Sequence, residues 1–126
     1  KNDLIDLILA SLKNNLHKKK IKWLNNPCIT VVASSKGYPG KYKKNIEIKN
    51  IDKIKKDKNV QLFHAGTIKD KNNKIYSNGG RVLNSTVLGL TLSDARKKAL
   101  KLLDSLIWKN KYYRRDIGFK AIKKWE

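Results

Sequence analysis

The four arginines of this chain are the residues best suited to chemistry, because all its other cationic residues are lysines. A guanidinium is a planar donor that can bind a carboxylate or a phosphate with two parallel hydrogen bonds, whereas lysine offers a point charge. Arg96 falls on the polar face of a helical pattern and is interpreted as incidental. Arg81, Arg114 and Arg115 lie in glycine-rich or turn-like segments, so these three are the candidates for binding an anionic substrate.

The first candidate site is the segment in which Gly79 and Gly80 precede Arg81. Paired glycines allow backbone N–H groups to approach an anion closely, and Arg81 adds a bidentate donor. The alternative interpretation is a bulge or turn that joins two strands, with Arg81 in a structural ion pair. The sequence alone leaves both interpretations open.

The second candidate site combines Arg114, Arg115 and Asp116 near the end of the chain. One guanidinium would face a substrate cleft while Asp116 orients the other. The alternative, which we favour, is a buried or interdomain ion pair that holds the tail in place. His64 is a weaker candidate, because a lone histidine on an alternating strand is more often a core or interface residue than an acid or base.

The ten acidic residues are scattered through helix faces and turns, and none of them forms a pair suited to a metal ion. The sequence also lacks a P-loop or a comparable glycine-rich nucleotide loop. Phosphoryl transfer from ATP needs both metal ligands and a phosphate cradle. We therefore expect this chain to hold no cofactor, no metal and no complete active site.

Lysine, asparagine and isoleucine are abundant among the 126 residues, and the formal net charge is +20. An AT-rich coding sequence favours this trio, so we interpret the charge as a solvated basic surface. The alternative is a basic module that binds nucleic acid through its phosphates. No apolar run is long enough for a membrane helix, so we expect no membrane partner.

The single cysteine, Cys28, is expected in the core, and a chain with one cysteine favours a reducing, cytoplasmic location. The sequence contains no methionine, which indicates a part of a longer protein.

Residues 3–16 predict an amphipathic helix whose single apolar stripe must dock on another element, part of which is expected to lie outside this chain. Residues 28–33 (CITVVA) form a continuous apolar run and are interpreted as a strand buried on both faces. Alternating patterns predict further strands, which cover residues 46–48, 60–68, 75–77 and 81–88.

The last helix is the clearest predicted element. Thr91 is a good N-cap, and Asp94 occupies the capping-box position. The apolar face of this helix runs from Leu92 to Leu106 and is closed by Trp108. The order of elements predicts an α+β domain, in which a small antiparallel sheet or partial barrel is covered by a C-terminal helix.

Four stretches, taken together, resemble the C-terminal domain of the phosphoribosylamine–glycine ligases, which belong to the ATP-grasp superfamily. They are residues 35–40 (SKGYPG), 63–67 (FHAGT), 78–83 (NGGRVL) and 112–118 (YYRRDIG). The resemblance covers nearly the whole chain. Residues 1–20 resemble the helix that ends the preceding ATP-grasp domain, and residues 21–126 resemble the C-terminal domain itself.

This resemblance implies that the full enzyme joins glycine to 5-phosphoribosylamine with ATP in de novo purine biosynthesis. It also implies that ATP and Mg²⁺ or Mn²⁺ are bound upstream of residue 1, so this chain alone would be inactive. Its partners would be the upstream ATP-grasp domains, and its task would be to complete the substrate cleft. An inactive relic of a broken ligase gene is a further alternative. Apolar surface is expected to remain exposed around the first helix and the edge at residues 79–80.

Overall fold

The computed structural model describes residues 1–55 and 57–125, with only the backbone of Trp125 described. Within these residues, three α-helices and one short 3₁₀ turn accompany seven strands. The α-helices are α1 (Leu4–Leu12), α2 (Leu92–Ser105) and α3 (Phe119–Trp125), and the 3₁₀ turn is Leu16–Lys18. The strands are β1 (Cys28–Ser35), β2 (Ile46–Ile48), β3 (Val60–His64), β4 (Thr67–Lys69), β5 (Ile75–Ser77), β6 (Arg81–Leu88) and β7 (Lys111–Tyr112).

The strands form two antiparallel sheets. The larger sheet has the order β3-β6-β1-β7, and the smaller one has the order β2-β5-β4. Helix α2 packs across β1 and β6, the two central strands of the larger sheet. The α+β class with a covering helix is therefore confirmed.

Strand β1 alternates between buried and exposed side chains over its first six residues, so the prediction that both of its faces are buried is wrong. Ile29, Val31 and Ala33 face the core, whereas Cys28 and Val32 are exposed. The physical reason is that α2 covers only one face of the larger sheet. The expectation that Cys28 lies in the core is also wrong, because its thiol is on the uncovered face.

Helix α2 begins as the sequence predicts. The Thr91 hydroxyl accepts a hydrogen bond of 3.1 Å from the Asp94 N–H, and Thr91 is the N-cap. The Asp94 carboxylate reaches back to the N–H of Leu90, at 3.4 Å, rather than to the N-cap itself. Ala95, Ala99, Leu102, Leu103, Leu106 and Trp108 are buried, which confirms the predicted apolar face.

Residues 60–68 do not form one continuous strand. They divide into β3 and β4, which belong to different sheets, with a break at residues 65–66. A turn follows β4, in which the Asp70 carboxylate accepts hydrogen bonds from the N–H groups of Asn72 and Lys74. The connector between β2 and β3 rests on Ile51 and Ile54, which pack against the core.

The first helix is shorter than predicted, because it ends at Leu12 and Asn14 adopts a left-handed backbone with φ of 54°. We call residues 1–26 the N-terminal arm. Its two ends are joined through Asn2, whose side chain donates to the Lys20 carbonyl (3.1 Å) and accepts from the Lys22 N–H (2.6 Å).

No helix among the described residues is long and apolar enough to span a membrane.

The apolar stripe of the arm, which was predicted to dock, lies open to solvent. Leu12 is 76% exposed and Trp23 is 83% exposed, whereas only Ala10 is buried within α1. Solvent exposure of this much apolar surface on one short segment marks a contact surface. The exposed large apolar residues of the arm are Leu4, Ile5, Ile8, Leu9, Leu12, Leu16, Ile21, Trp23 and Leu24.

The packing of α2 on the sheet gives the first testable expectation. Leu103→Ala should lower the free energy of unfolding by about 2–5 kcal/mol, because the deletion leaves a cavity in the core. Leu90→Ala makes the same chemical change at an exposed position and should alter the free energy of unfolding by less than about 0.5 kcal/mol. Urea unfolding followed by circular dichroism measures both values, and equal losses would contradict the described core.

Candidate anion-binding site

The two sheets meet where the backbone at Gly66 crosses the backbone at Gly79, a contact that we call the glycine crossing. The Gly66 N–H donates to the Arg81 carbonyl at 3.0 Å, and the Gly66 carbonyl accepts from the Asn78 N–H at 2.7 Å. A Cβ atom placed on Gly66 would lie 2.7 Å from the Gly79 Cα. Any side chain at Gly66 would therefore force the two backbone segments apart.

Ser35 holds residues 79 and 80 against β1. Its hydroxyl donates to the Gly79 carbonyl and its N–H donates to the Gly80 carbonyl, both at 2.8 Å. The N–H groups of Gly79 and Gly80 have no acceptor among the described residues. Both carbonyls are thus held by the fold.

A bulge is present beside this segment, as the alternative interpretation predicted. The pairing of β1 with β6 shifts register between Ala33 and Ser34, and Ser34 then pairs with Arg81. The second half of that alternative is wrong, because Arg81 forms no ion pair with any described residue. The bulge and the unpaired Arg81 guanidinium therefore lie next to each other at the start of β6.

Tyr38 covers Gly80. A Cβ atom placed on Gly80 would lie only 2.0 Å from Cδ2 of the Tyr38 ring, so glycine is the residue that allows this contact. The Tyr38 ring also meets the Tyr42 ring edge-to-face, with 6.1 Å between centroids. Tyr38 nevertheless remains 39% exposed in this chain.

Arg81 lines an open depression of about 440 Å³. The depression lies at one end of the uncovered face of the larger sheet, where Phe63, Asn84 and Val32 form a row across β3, β6 and β1. Phe63 and Val32 are both exposed. The lining residues are Val32, Tyr38, Ala65, Gly80, Arg81 and Asn84, and none of them is acidic.

The second predicted site is not part of this depression, because neither of its arginines lines it. Arg114 binds Asp116 with two hydrogen bonds of 3.0 and 2.7 Å. Arg115 instead binds Asp104 on α2, at 2.5 and 3.2 Å. Both ion pairs are solvent-exposed in this chain, so they hold the tail at the surface rather than in a buried position.

Asp104 is the centre of this tail cluster. The hydrogen bond from Arg115, followed by that from the Tyr113 hydroxyl, lowers the pKa of Asp104 below its ordinary value. Burial, followed by the hydrogen bond to Asp104, raises the pKa of Tyr113 to about 12. The Lys111 ammonium caps the nearby end of α2 by donating to the carbonyls of Leu103 and Leu106.

Arg96 is not incidental, contrary to the interpretation from the sequence. Its Nε donates to the Ile117 carbonyl at 2.9 Å, and its terminal nitrogen donates to the Arg115 carbonyl. The guanidinium thereby binds two carbonyls of the tail to α2. The signal that could have identified it was its residue type, since arginine is rare in this chain.

His64 lies apart from the Arg81 depression. It ends the edge strand β3, its ring is exposed, and Nδ1 is 3.0 Å from the Thr67 hydroxyl. It lines a different open depression, of about 540 Å³, beside the connector that precedes β3. Within residues 1–55 and 57–125, no group of three histidine, cysteine or acidic side chains is placed to hold a metal ion.

Comparison with known proteins places this chain in a family. Residues 28–120 match the family model described as phosphoribosylglycinamide synthetase, C domain. The chain is 40% identical over 122 residues to the phosphoribosylamine–glycine ligase of Agrobacterium fabrum, and 39% identical over 121 residues to that of Pasteurella multocida. These alignments cover 97% and 96% of this chain but only 28% of each relative, so the chain spans about a quarter of their length.

A solved structure shows the same fold. The crystal structure of phosphoribosylamine–glycine ligase from Thermotoga maritima superposes with a TM-score of 0.65 at 28% sequence identity. The superposition covers 86% of this chain and 27% of that structure.

The contact between Tyr38 and Gly80 can be tested with a double-mutant cycle. Gly80→Ala should destabilise the fold by about 1–3 kcal/mol, because the new methyl group overlaps the Tyr38 ring. In the Tyr38→Ala background the same change should cost less than about 0.5 kcal/mol. Urea unfolding of the four proteins gives the coupling, and an equal cost in both backgrounds would show that the ring does not cover Gly80.

The tail cluster predicts a specific pH dependence of stability. Because the folded pKa of Asp104 is depressed, its contribution to stability is present above the unfolded pKa of about 3.9 and is lost as the pH falls through the lower folded pKa. Asp104→Asn should therefore reduce the loss of unfolding free energy between about pH 5 and pH 2. Asp52→Asn removes an exposed carboxylate outside the tail and serves as the control. Identical pH profiles for wild type and Asp104→Asn would refute this assignment.

Proposed function

Because this chain belongs to the phosphoribosylglycinamide synthetase C-domain family, we propose that it is the closing domain of an ATP-dependent ligase that joins glycine to 5-phosphoribosylamine in purine biosynthesis. The observation that carries the proposal is the Arg81 guanidinium, which forms no ion pair with any described residue. Arg81 lines an open depression in a domain whose other arginines are bound to its own residues.

The proposed role is to form one wall of the substrate cleft rather than to catalyse the reaction. The donors at residues 79–81 recognise an anionic part of a substrate, whereas ATP and Mg²⁺ or Mn²⁺ are bound by the upstream ATP-grasp domains. Arg114, Arg115 and Asp116 stabilise the tail in this proposal, and His64 contributes at an interface. The proposed location of the enzyme is the cytoplasm.

We propose that residues 1–20 complete the preceding ATP-grasp domain and that residues 21–126 form the C-terminal domain. The family match begins at residue 28, after the N-terminal arm, whereas the full-length relatives align with the arm as well. The arm's apolar residues are exposed here and require a partner. The upstream region of the ligase, which makes up most of each relative's length, is the occupant that this surface fits.

The alternative of a nucleic-acid-binding module is not favoured, since the curated relatives that match this chain are ligases. The alternative of an inactive relic differs from our proposal only in activity. A functional assay therefore distinguishes these two.

A chimera tests the proposed function directly. This chain would replace the matching C-terminal region of the Agrobacterium fabrum ligase, to which it is 40% identical. We expect the chimera to release phosphate from ATP only when glycine and phosphoribosylamine are both present, while this chain alone and the truncated ligase do not. Arg81→Ala should lower kcat/KM for phosphoribosylamine about 100-fold, as expected for loss of a bidentate contact made in a desolvated cleft. A folded but inactive chimera would favour the relic.

A further inference from the structure

Strand β3 has a free backbone edge. Among the described strands it is the outermost on one side of the larger sheet, where it pairs only with β6. The Asn59 carbonyl accepts from the Leu88 N–H at 2.9 Å. The Ala65 N–H donates to the Val82 carbonyl, also at 2.9 Å. Because backbone groups alternate in direction along an antiparallel ladder, these two bonds fix which residues of β3 face β6.

The backbone of Gln61 and Phe63 therefore bonds to β6, whereas the backbone of Leu62 and His64 points away from the sheet. On that outer side, neither Leu62 nor His64 has a backbone hydrogen-bond partner among the described residues. Free N–H and C=O groups along an edge are a template on which one further strand can pair.

An apolar groove runs along this edge. Its first part is the open depression of about 540 Å³ beside the connector, whose apolar lining residues are Ile51, Ile54, Val60 and Leu62. A second depression, of about 340 Å³, shares Ile54 and Val60 with the first and continues to Leu102 on α2. We call these two adjoining depressions the β3 groove. It shares no lining residue with the Arg81 depression, so it is a separate surface.

The β3 groove is strongly basic. The lysines that line it are Lys53, Lys55, Lys58, Lys98 and Lys101. Asp57 is the one acid among its described lining residues. Asp94 offsets only Lys98, through an ion pair of 2.8 Å, and the other four lysines form no ion pair with a described residue. A groove of this charge attracts an acidic ligand and repels a second copy of a chain whose net charge is +20.

We propose that the β3 groove binds an extended, acidic segment of a separate partner protein, which adds to the larger sheet as a strand beside β3. The free edge supplies backbone hydrogen bonds, the apolar lining holds side chains of the segment, and the lysines pair with its carboxylates.

The upstream region of the ligase is not the proposed occupant of the β3 groove. The groove extends to α2, on the covered side of the larger sheet. The apolar surfaces that fit the upstream region lie elsewhere, on the N-terminal arm and on the uncovered face at Phe63 and Val32. The β3 groove therefore stays open to another protein, and this inference does not depend on the ligase activity.

The experiment measures how a fluorescein-labelled nine-residue peptide, in which glutamate and valine alternate, binds the chain at about 0.15 M ionic strength. We expect a Kd of about 0.1–1 mM by fluorescence anisotropy. Two further peptides carry N-methyl groups on alternate backbone nitrogens, on the valines in one and on the glutamates in the other. One set should abolish binding and the other should change the Kd by less than about threefold, because only one edge of an added strand faces β3.

Amide hydrogen exchange locates the added strand. With saturating peptide, the amides of Leu62 and His64 should exchange at least about tenfold more slowly, because they gain acceptors. The amides of Gln61 and Phe63 should change less, because they already bond to β6.

Two double variants test the role of the charge. Lys55→Gln with Lys101→Gln should weaken binding of the peptide at least about fivefold. The matched control is Lys41→Gln with Lys43→Gln, which removes the same charge from a different depression of about 370 Å³. This control should change the Kd by less than about twofold.

Three results would overturn the inference. They are equal effects of the two N-methyl sets, equal losses of affinity in the two double variants, and unchanged exchange at both Leu62 and His64. Equal slowing of the same amides by single-stranded RNA would contradict a protein partner. The ligase chimera separates this inference from the proposed function. An active chimera that does not bind the peptide would show that the upstream region covers the groove, which excludes a separate partner. An inactive chimera that binds the peptide would support the groove and count against the ligase function.

Discussion

The close approach of two backbone segments at Gly66 and Gly79 is the constraint on which the site depends. With a Cβ on Gly66 only 2.7 Å from the Gly79 Cα, no side chain fits between these segments. The contact joins the link between β3 and β4 to the link between β5 and β6, so it connects the two sheets. It also fixes the start of β6, so that Arg81 lines the open depression next to Gly80.

One face of the larger sheet is covered within this chain, and the opposite face is exposed to solvent. Helix α2 covers one face of the larger sheet, while the opposite face exposes Phe63 and Val32 beside the Arg81 depression. The N-terminal arm exposes a second apolar surface. Relatives that are more than three times longer align with 97% and 96% of this chain at 40% and 39% identity. These open surfaces are what a domain taken from such an enzyme would present.

Local patterns predicted the elements whose partners lie within the chain. The period and N-cap of α2 identified it. Residues 79–81 stay a predicted site, proposed from glycine freedom and arginine chemistry, and Gly80 and Arg81 line one depression. The burial of Cys28 was mispredicted because a β-branched run looks alike whether one face or both are covered. Arg96 was missed because its acceptors are backbone carbonyls about 20 residues away, which leave no pattern in the sequence. The Tyr38–Gly80 contact joins residues still farther apart in the sequence.

The central claim is that this chain supplies one wall of a cleft whose remainder lies upstream. Amide hydrogen exchange, measured on the chain alone and on the same residues within the ligase chimera, tests it most directly. The account predicts that α1 and the amides of Gly79 and Gly80 exchange at least about tenfold more slowly in the chimera, because the upstream region covers them. Unchanged exchange at the arm and at the glycine crossing, in a chimera that is folded, would contradict the account.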